Sequence, residues 1–362
     1  MFSNTPVVYA VGTDYQIFFF VSRSAYARLK VGDAVYDDVV CGILRSAPGL
    51  RQITVPQKAL NAAGGYTLSL QRIRERKSYW TETIGVTERY YPFYPVPETG
   101  NVRAYMLGDA HGDKERTLAA AGAFGAFDFL IVNGDVNESI SVRHFELAHN
   151  LAAELTGGSR PVVYVRGNHE LRGALAEQLT QYIPTQDGNT YYTFRLGSVW
   201  GIVLDCGEDK PDDHGEYGGY ARFHPFRLAQ TDYLRQVIRH AKTEFDAPGV
   251  TTRIAVVHTQ FPRKQEPAFD IERPLFQRWC DLLGSMGTDV ILSAHEHRFA
   301  VLQPGDPALR LQTTCPLVIG AANNKEYIGG TGYVFSPDAI RVEFTASDGT
   351  AVPPVTLQKE TD

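Results

Sequence analysis

Cysteine is scarce in this chain, and so are long apolar runs and blocks of one charge. Cys41, Cys206, Cys280 and Cys315 are the 4 cysteines among 362 residues, and none stands close to another. That spacing excludes a paired disulfide framework and points to reduced, partly buried thiols, hence to the cytoplasm. No apolar stretch reaches the roughly eighteen residues of a membrane-crossing helix. The most hydrophobic short segment, Tyr15-Gln-Ile-Phe-Phe-Phe-Val21, has the length of a strand. The N-terminus, Met1-Phe-Ser-Asn-Thr-Pro-Val-Val, lacks a basic segment leading into an apolar core, so no secretory signal is expected. Net charge is −6 with no long basic stretch. That argues against non-specific nucleic-acid binding, though not against a small nucleotide as substrate.

What is present is a core and a set of polar motifs. Hydrophobic residues make up 43% of the chain, enough for a large core and two domains. Five short apolar runs each lead into a polar motif. Arg103–Leu107 runs into Gly108-Asp109-Ala110-His111, and Asp128–Val132 into Asn133-Gly134-Asp135. Pro161–Val165 runs into Gly167-Asn168-His169-Glu170, Arg253–Val257 into His258, and Asp289–Ser293 into Ala294-His295-Glu296-His297. Runs of this length and β-branched content, spaced by helical segments, predict buried strands of an α/β sheet. The carboxyl ends of such strands form the ligand crevice, and every candidate side chain falls there.

Asp109, His111, Asp135, Asn168, His258, His295 and His297 offer mixed oxygen and imidazole donors. That mixture suits Mn, Fe, Zn, Co or Ni better than an all-oxygen calcium cage, and the absence of cysteine excludes a closed thiolate zinc site. Two such ions carry about four positive charges, of which Asp109 and Asp135 cancel about two, so the centre stays attractive to phosphate in an acidic chain. A single Asp-x-His or Gly-Asp is usually only a turn after a strand; the ordered set of five carries the argument.

In that order the motifs resemble the calcineurin-like metallophosphoesterases over roughly residues 100–300. The resemblance implies a four-layer α/β/β/α sandwich and two divalent or trivalent transition-metal ions. One would sit on Asp109, His111, Asp135 and His297, the other on Asp135, Asn168, His258 and His295, with Asp135 bridging. It further implies hydrolysis of phosphate esters by a hydroxide held on the two metals, with His169 as acid toward the leaving group. Glu170 is expected to orient His169 or a ligand. Purple acid phosphatases are similar but use a tyrosinate three residues after the second-motif aspartate, where this chain has Glu138, and they lack the histidine found here at His111. Serine/threonine protein phosphatases continue the second motif with Asp-Arg-Gly; this chain reads Val136-Asn137-Glu138. Arg143 and Arg166 remain as cations without a place.

Before the motifs, Val7–Val11, Gln16–Val21, Ala25–Lys30, Arg51–Val55 and Tyr66–Gln71 read as short strands between glycine turns. Residues 1–90 are similar to the fibronectin type III-like β-sandwich that precedes the catalytic domain in several metallophosphoesterases. The competing reading is an extension of the catalytic sheet. Residues 91–100, rich in proline, then read as a linker, and 101–362 as the catalytic domain. Helices are expected at 114–124, 138–155, 170–179, 227–242 and 274–283, and strands again at 299–302, 309–311, 317–319, 333–335 and 340–344. His144, His149 and His240 fall in helical segments and read as surface or packing residues.

The polar, glycine-rich loop 206–220 is expected to wall the site, with His214 and Tyr217 as candidate substrate contacts beside Asn137. Asp209, Asp212 and Asp213 would disfavour a highly anionic substrate if they face the centre. Arg263, just after His258, is a candidate phosphate contact. The expected substrate is a small organic phosphate ester or nucleotide, monoester or diester, with no membrane partner. The alternative is a catalytically inactive scaffold of the same fold.

Overall fold

The computed structural model describes residues 3–139, 142–264 and 266–359, with backbone alone at 142–145. The side chains of Arg143 and His144 therefore lie outside the described residues.

Two sheets share one strand. In the first, Val102–Leu107, Phe129–Asn133 and Pro161–Val165 run parallel, with Met106 opposite Ile131 and Ile131 opposite Val163. In the second, Val199–Leu204, Thr252–Val257 and Val290–Ser293 also run parallel, with Ile202 opposite Ala255 and Ala255 opposite Ile291. Leu317–Asn323 joins them. Its first residues pair with Val290–Ser293, and its last pair with Ile328–Phe335, the neighbour of Val102–Leu107.

Alternation along the strands builds the layers. Ala104, Met106, Ile131, Ile254, Val256 and Leu292 point into an apolar core between the sheets. Tyr105, Leu107, Leu130 and Val132 point the other way, onto Ala121 and Phe124 of the helix Lys114–Phe124 and Leu151 of Val142–Thr156. Ala255, Val257 and Ile202 pack on Leu234 and Val237 of Phe223–Arg239 and on Trp279 and Leu283 of Arg273–Ser285. Three apolar layers thus separate helix, sheet, sheet and helix, the expected four-layer α/β/β/α architecture. Among the described residues no helix is long and apolar enough to cross a membrane.

The N-terminal segment divides its strands among three sheets. Val7–Val11 adds parallel to Pro161–Val165, with Val8 opposite Pro161, and Asp14–Val21 and Gly49–Pro56 follow antiparallel. Every residue of Val7–Val11 is buried, which a strand achieves only with both faces covered. One cover is His149, which stacks on Phe18 at 5.4 Å and bonds the Tyr9 hydroxyl at 2.9 Å. Ala25–Val31, Ala34–Asp37, Gly65–Arg76 and Thr81–Pro92 form a separate four-stranded antiparallel sheet, and Val39–Val40 pairs with Ile43–Leu44 in a small two-stranded one. His149 is thus a packing residue, as expected; His240 sits exposed at a helix end. Cys206, Cys280 and Cys315 are buried free thiols, and Cys41 is an exposed one.

Several expected elements differ. The helix expected at 170–179 is instead two short 3₁₀ turns, His169–Leu171 and Ala176–Gln181. Gly173, at φ 95°, breaks the helical path between them, and the Glu170 side chain is turned inward. Residues 309–311 form no strand; Leu309 makes one isolated bridge to Arg263. The Thr81–Pro92 strand runs two residues into the expected linker, and a helix not expected from the sequence, Gln57–Ala63, stands between two of the N-terminal strands.

Candidate metal centre

The parallel strands of both sheets end at one edge, and the candidate donors lie on the turns that follow. These turns are tight. Eight non-glycine residues among those described adopt a left-handed φ; five are Asp109, His111, Asp135, His295 and His297. Such a conformation costs of order 1 kcal/mol or more per residue and persists only where its surroundings enforce it. Gly134 supplies part of that enforcement. A Cβ on it would lie 2.6 Å from both the Gly167 Cα and His258 Nδ1, so the second and third turns meet backbone to backbone.

Glu170 supplies more. Its buried carboxylate accepts the N–H groups of Gly167 at 2.8 Å, Asp135 at 2.9 Å and Val136 at 3.1 Å. It therefore orients the backbone that carries Asp135 rather than the His169 ring. Burial, then the charge of Asp135, pushes its carboxyl up to about 7.

The donors converge in two groups. Ligand atoms of Asp109, His111 and His297 lie within 4.8 Å of one another, and so do those of Asp135, His258 and His295. His169 lies within the same 4.8 Å of His111 and Asp135, one member of each group. His258 Nδ1–H donates to the Asn133 carbonyl at 2.8 Å, which leaves its Nε2 lone pair 3.1 Å from Asp135 Oδ2 and 3.8 Å from Asp109 Oδ1. His111 Nε2 and His297 Nε2 approach to 3.1 Å. Asn168 Oδ1 lies 3.1 Å from His295 Nδ1.

Metal ions fit these residues. Asp109 Oδ1 is buried and makes no hydrogen bond, and the buried His258 Nε2 meets only the carboxylate oxygens of Asp135 and Asp109, an arrangement costly unless a proton or a cation sits among them. Burial pushes Asp109 up to about 7, with Asp135 adding to the rise and His258 opposing it. Burial also works upward on Asp135, but His258 and the His169 N–H outweigh it and hold the carboxyl below its usual range. Burial lowers His258, yet Asp135 and Asp109 raise it to about 10. The negative potential that would hold a proton there equally favours a cation.

The remaining expected residues are placed unevenly. His169 is partly exposed, its Nδ1 2.9 Å from the Glu138 carbonyl and its Nε2 accepting from Arg172 Nη1 at 3.0 Å. Asn137 is buried and lines a cleft of about 450 Å³ with His111 and Glu138. Tyr217 is buried and donates to Glu208, whereas His214 accepts from Glu216 N at the loop's outer turn. Arg263 is engaged by Glu296, which also takes Gln260 at 2.6 Å and Arg298 at 2.8 Å. Arg166 pairs with Asp205 at 2.6 Å. A cation that does reach the centre, Arg172, has no motif to announce it. Glu208 and Asp209 also come in from the 206–220 loop; nothing in a run of polar residues distinguishes an inward carboxylate from a solvated one.

Residues 102–299 match the calcineurin-like phosphoesterase family, and the chain belongs to it. Members of this family use divalent metal ions. No curated protein matches the chain. Among solved structures, a purple acid phosphatase from yellow lupin (Lupinus luteus) seeds is 13% identical with a TM-score of 0.65, over 98% of this chain and 74% of that one. PhoD is 11% identical with a TM-score of 0.58, over 99% and 92% of the two chains. A dimetal phosphatase from Danio rerio is 12% identical with a TM-score of 0.50, over 74% and 100%. At these identities the likeness is one of fold.

Proposed function

We propose that the chain hydrolyses phosphate esters at a dinuclear metal centre, with a small organic phosphate or nucleotide as substrate. The observation that carries this reading is the pair of donor triads, each gathered within 4.8 Å and set side by side at the strand ends. The first ion would take Asp109, His111, Asp135 and His297. The second would take Asp135, Asn168, His258 and His295. Bound there, transition-metal ions supply charge neutralisation at the phosphoryl oxygens and acidify water.

The chain's own residues do the rest. His169 is tied through Nδ1 to the Glu138 carbonyl, and Nε2 accepts from Arg172 Nη1, so Nε2 is the atom that would take up a proton and pass it to the leaving oxygen once a substrate oxygen draws Arg172 away. Arg172 stands 3.0 Å from that nitrogen and carries a fixed charge suited to a phosphoryl oxygen. Glu138, Asn137 and His111 border the adjoining cleft, where the leaving group would lie. In this reading residues 1–90 are the fibronectin type III-like β unit, some of whose strands extend the catalytic sheet, 91–100 the linker and 101–362 the catalytic domain. The complete donor set speaks against an inactive scaffold.

The test is hydrolysis of p-nitrophenyl phosphate and bis-p-nitrophenyl phosphate after reconstitution with Mn, Zn, Ni, Co or Fe, for wild type and Asp135→Asn. Metal-dependent turnover lost in the variant is expected. No turnover with any metal, together with no retained metal, would return the scaffold reading.

A further inference from the structure

The 206–220 loop does more than border the cleft. We propose that Glu208 and Asp209 are positioning residues for the second metal, fixing the side chains of Asn168 and His295. This rests on the dinuclear reading above.

A hydrogen-bond count on four side chains leads to it. Asp209 Oδ2 lies 3.2 Å from His295 Nε2. An ionised carboxylate only accepts, so Nε2 must carry the hydrogen, which leaves Nδ1 as the imidazole's lone pair. Asn168 Nδ2 donates to Glu208 Oε2 at 3.3 Å, which turns the amide oxygen away from Glu208. That oxygen lies 3.1 Å from His295 Nδ1. Two acceptors thus face one another at hydrogen-bond distance, and only a proton or a metal ion between or beside them resolves the contact. His258, the third member of that position, already presents Nε2 because Nδ1 is tied to the Asn133 carbonyl. Neighbouring loop residues therefore set two of the four proposed donors of one ion.

The loop is held firmly enough to do this. Glu208 is fully buried. Besides Asn168 it takes the Tyr217 hydroxyl and Arg172 Nη2 at 3.3 Å, while its Oε1 accepts the Asp209 N–H at 3.0 Å. Lys210 Nζ lies 3.6 Å from it. Arg227 anchors the stem by donating to the carbonyls of Cys206 at 2.8 Å and Glu208 at 2.6 Å. One carboxylate thereby orients both a metal donor and the arginine beside His169.

Carboxylates of this kind tune affinity about 10–100-fold without touching the ion. The experiment titrates the full chain, stripped with chelator, with Co²⁺ and Mn²⁺, reading stoichiometry, affinity and the Co²⁺ absorption spectrum. Wild type, Asp209→Ala, Asp209→Asn, Glu208→Gln and the exposed-loop control Asp213→Ala are compared. Asp209→Ala and Glu208→Gln should each weaken one of two equivalents about 10–100-fold and alter the spectrum of that ion alone. Asp209→Asn, which keeps an acceptor oxygen, should fall between. Metal-free melting should match wild type for Asp209→Ala, and Asp213→Ala should bind as wild type. Both equivalents bound with unchanged affinity in Asp209→Ala would overturn the inference. So would equal losses in every variant, the control included. If wild type itself fails to take two equivalents, the dinuclear reading falls first.

Discussion

Glu170 Oε2 accepts the Asp135 backbone N–H at 2.9 Å, and through it the third motif shapes the second. The same carboxylate closes the N–H groups of Gly167 and Val136. Glu170→Ala would strand three buried donors, each worth about 1–3 kcal/mol. We expect denaturant unfolding to show a loss of several kcal/mol in total, at the sum of those, with metal uptake lost in parallel. Glu170→Gln, which retains one acceptor oxygen, should lose less on both measures.

Gly134 and Gly188 make a matched pair. Both are left-handed, at φ 70° and 80°, but only Gly134 has neighbours in the way of a Cβ. Gly188→Ala should cost about 1 kcal/mol, the conformational term alone. Gly134→Ala must also push apart the Gly167 backbone and His258, so a loss of about 3 kcal/mol or more is expected, together with impaired metal binding. Equal losses for the two would show that close approach of the turns is unimportant.

Proton delivery by His169 should be visible in leaving-group dependence. His169→Ala is expected to lower kcat by about 10²–10⁴ for an alkyl phosphate and by less for p-nitrophenyl phosphate, whose anion departs unaided. Arg172→Ala should mainly raise KM, with Arg172→Lys recovering part of the loss. A uniform fall across leaving groups in His169→Ala would remove its assignment as the acid.

His149 makes stability depend on pH. Burial pushes its pKa down to about 4, against the Tyr182 carbonyl that bonds its other nitrogen. The folded protein therefore keeps the ring neutral while the unfolded chain protonates it below about 6.5. Its contribution is complete above that value and is lost as pH falls toward 4, about 2 kcal/mol between pH 7 and 5. Unfolding free energies at those two pH values should differ less in His149→Gln by that amount.

Much of the fold was legible because the strands Val102–Leu107, Phe129–Asn133, Pro161–Val165, Thr252–Val257 and Val290–Ser293 are buried throughout or nearly so, and read as continuous apolar runs. The donors were legible because each follows such a run. Thr81–Pro92 was not, since most of its residues are exposed and polar. Nor was the placing of Val7–Val11 beside Pro161–Val165, a contact between segments about 150 residues apart that no local pattern encodes. Glu170 was legible from its place in the third motif, though not the backbone it holds; Arg172 and Glu208 act through hydrogen bonds to side chains far along the chain, so their types alone are indistinguishable from those of surface charges.

Asn133 lies on the seam of the two sheets. Its amide donates to the Val257 carbonyl at 3.3 Å and its own carbonyl takes His258 Nδ1 at 2.8 Å. Asp109, Asp135 and Asn168 project from one sheet, and His258, His295 and His297 from the other. An ion seated among them, as proposed above, would be a clasp across the halves. Pulling the sheets apart would have to break coordination as well as packing, so a chelator should lower the force at which the domain yields, even where it leaves each half's own hydrogen bonds untouched.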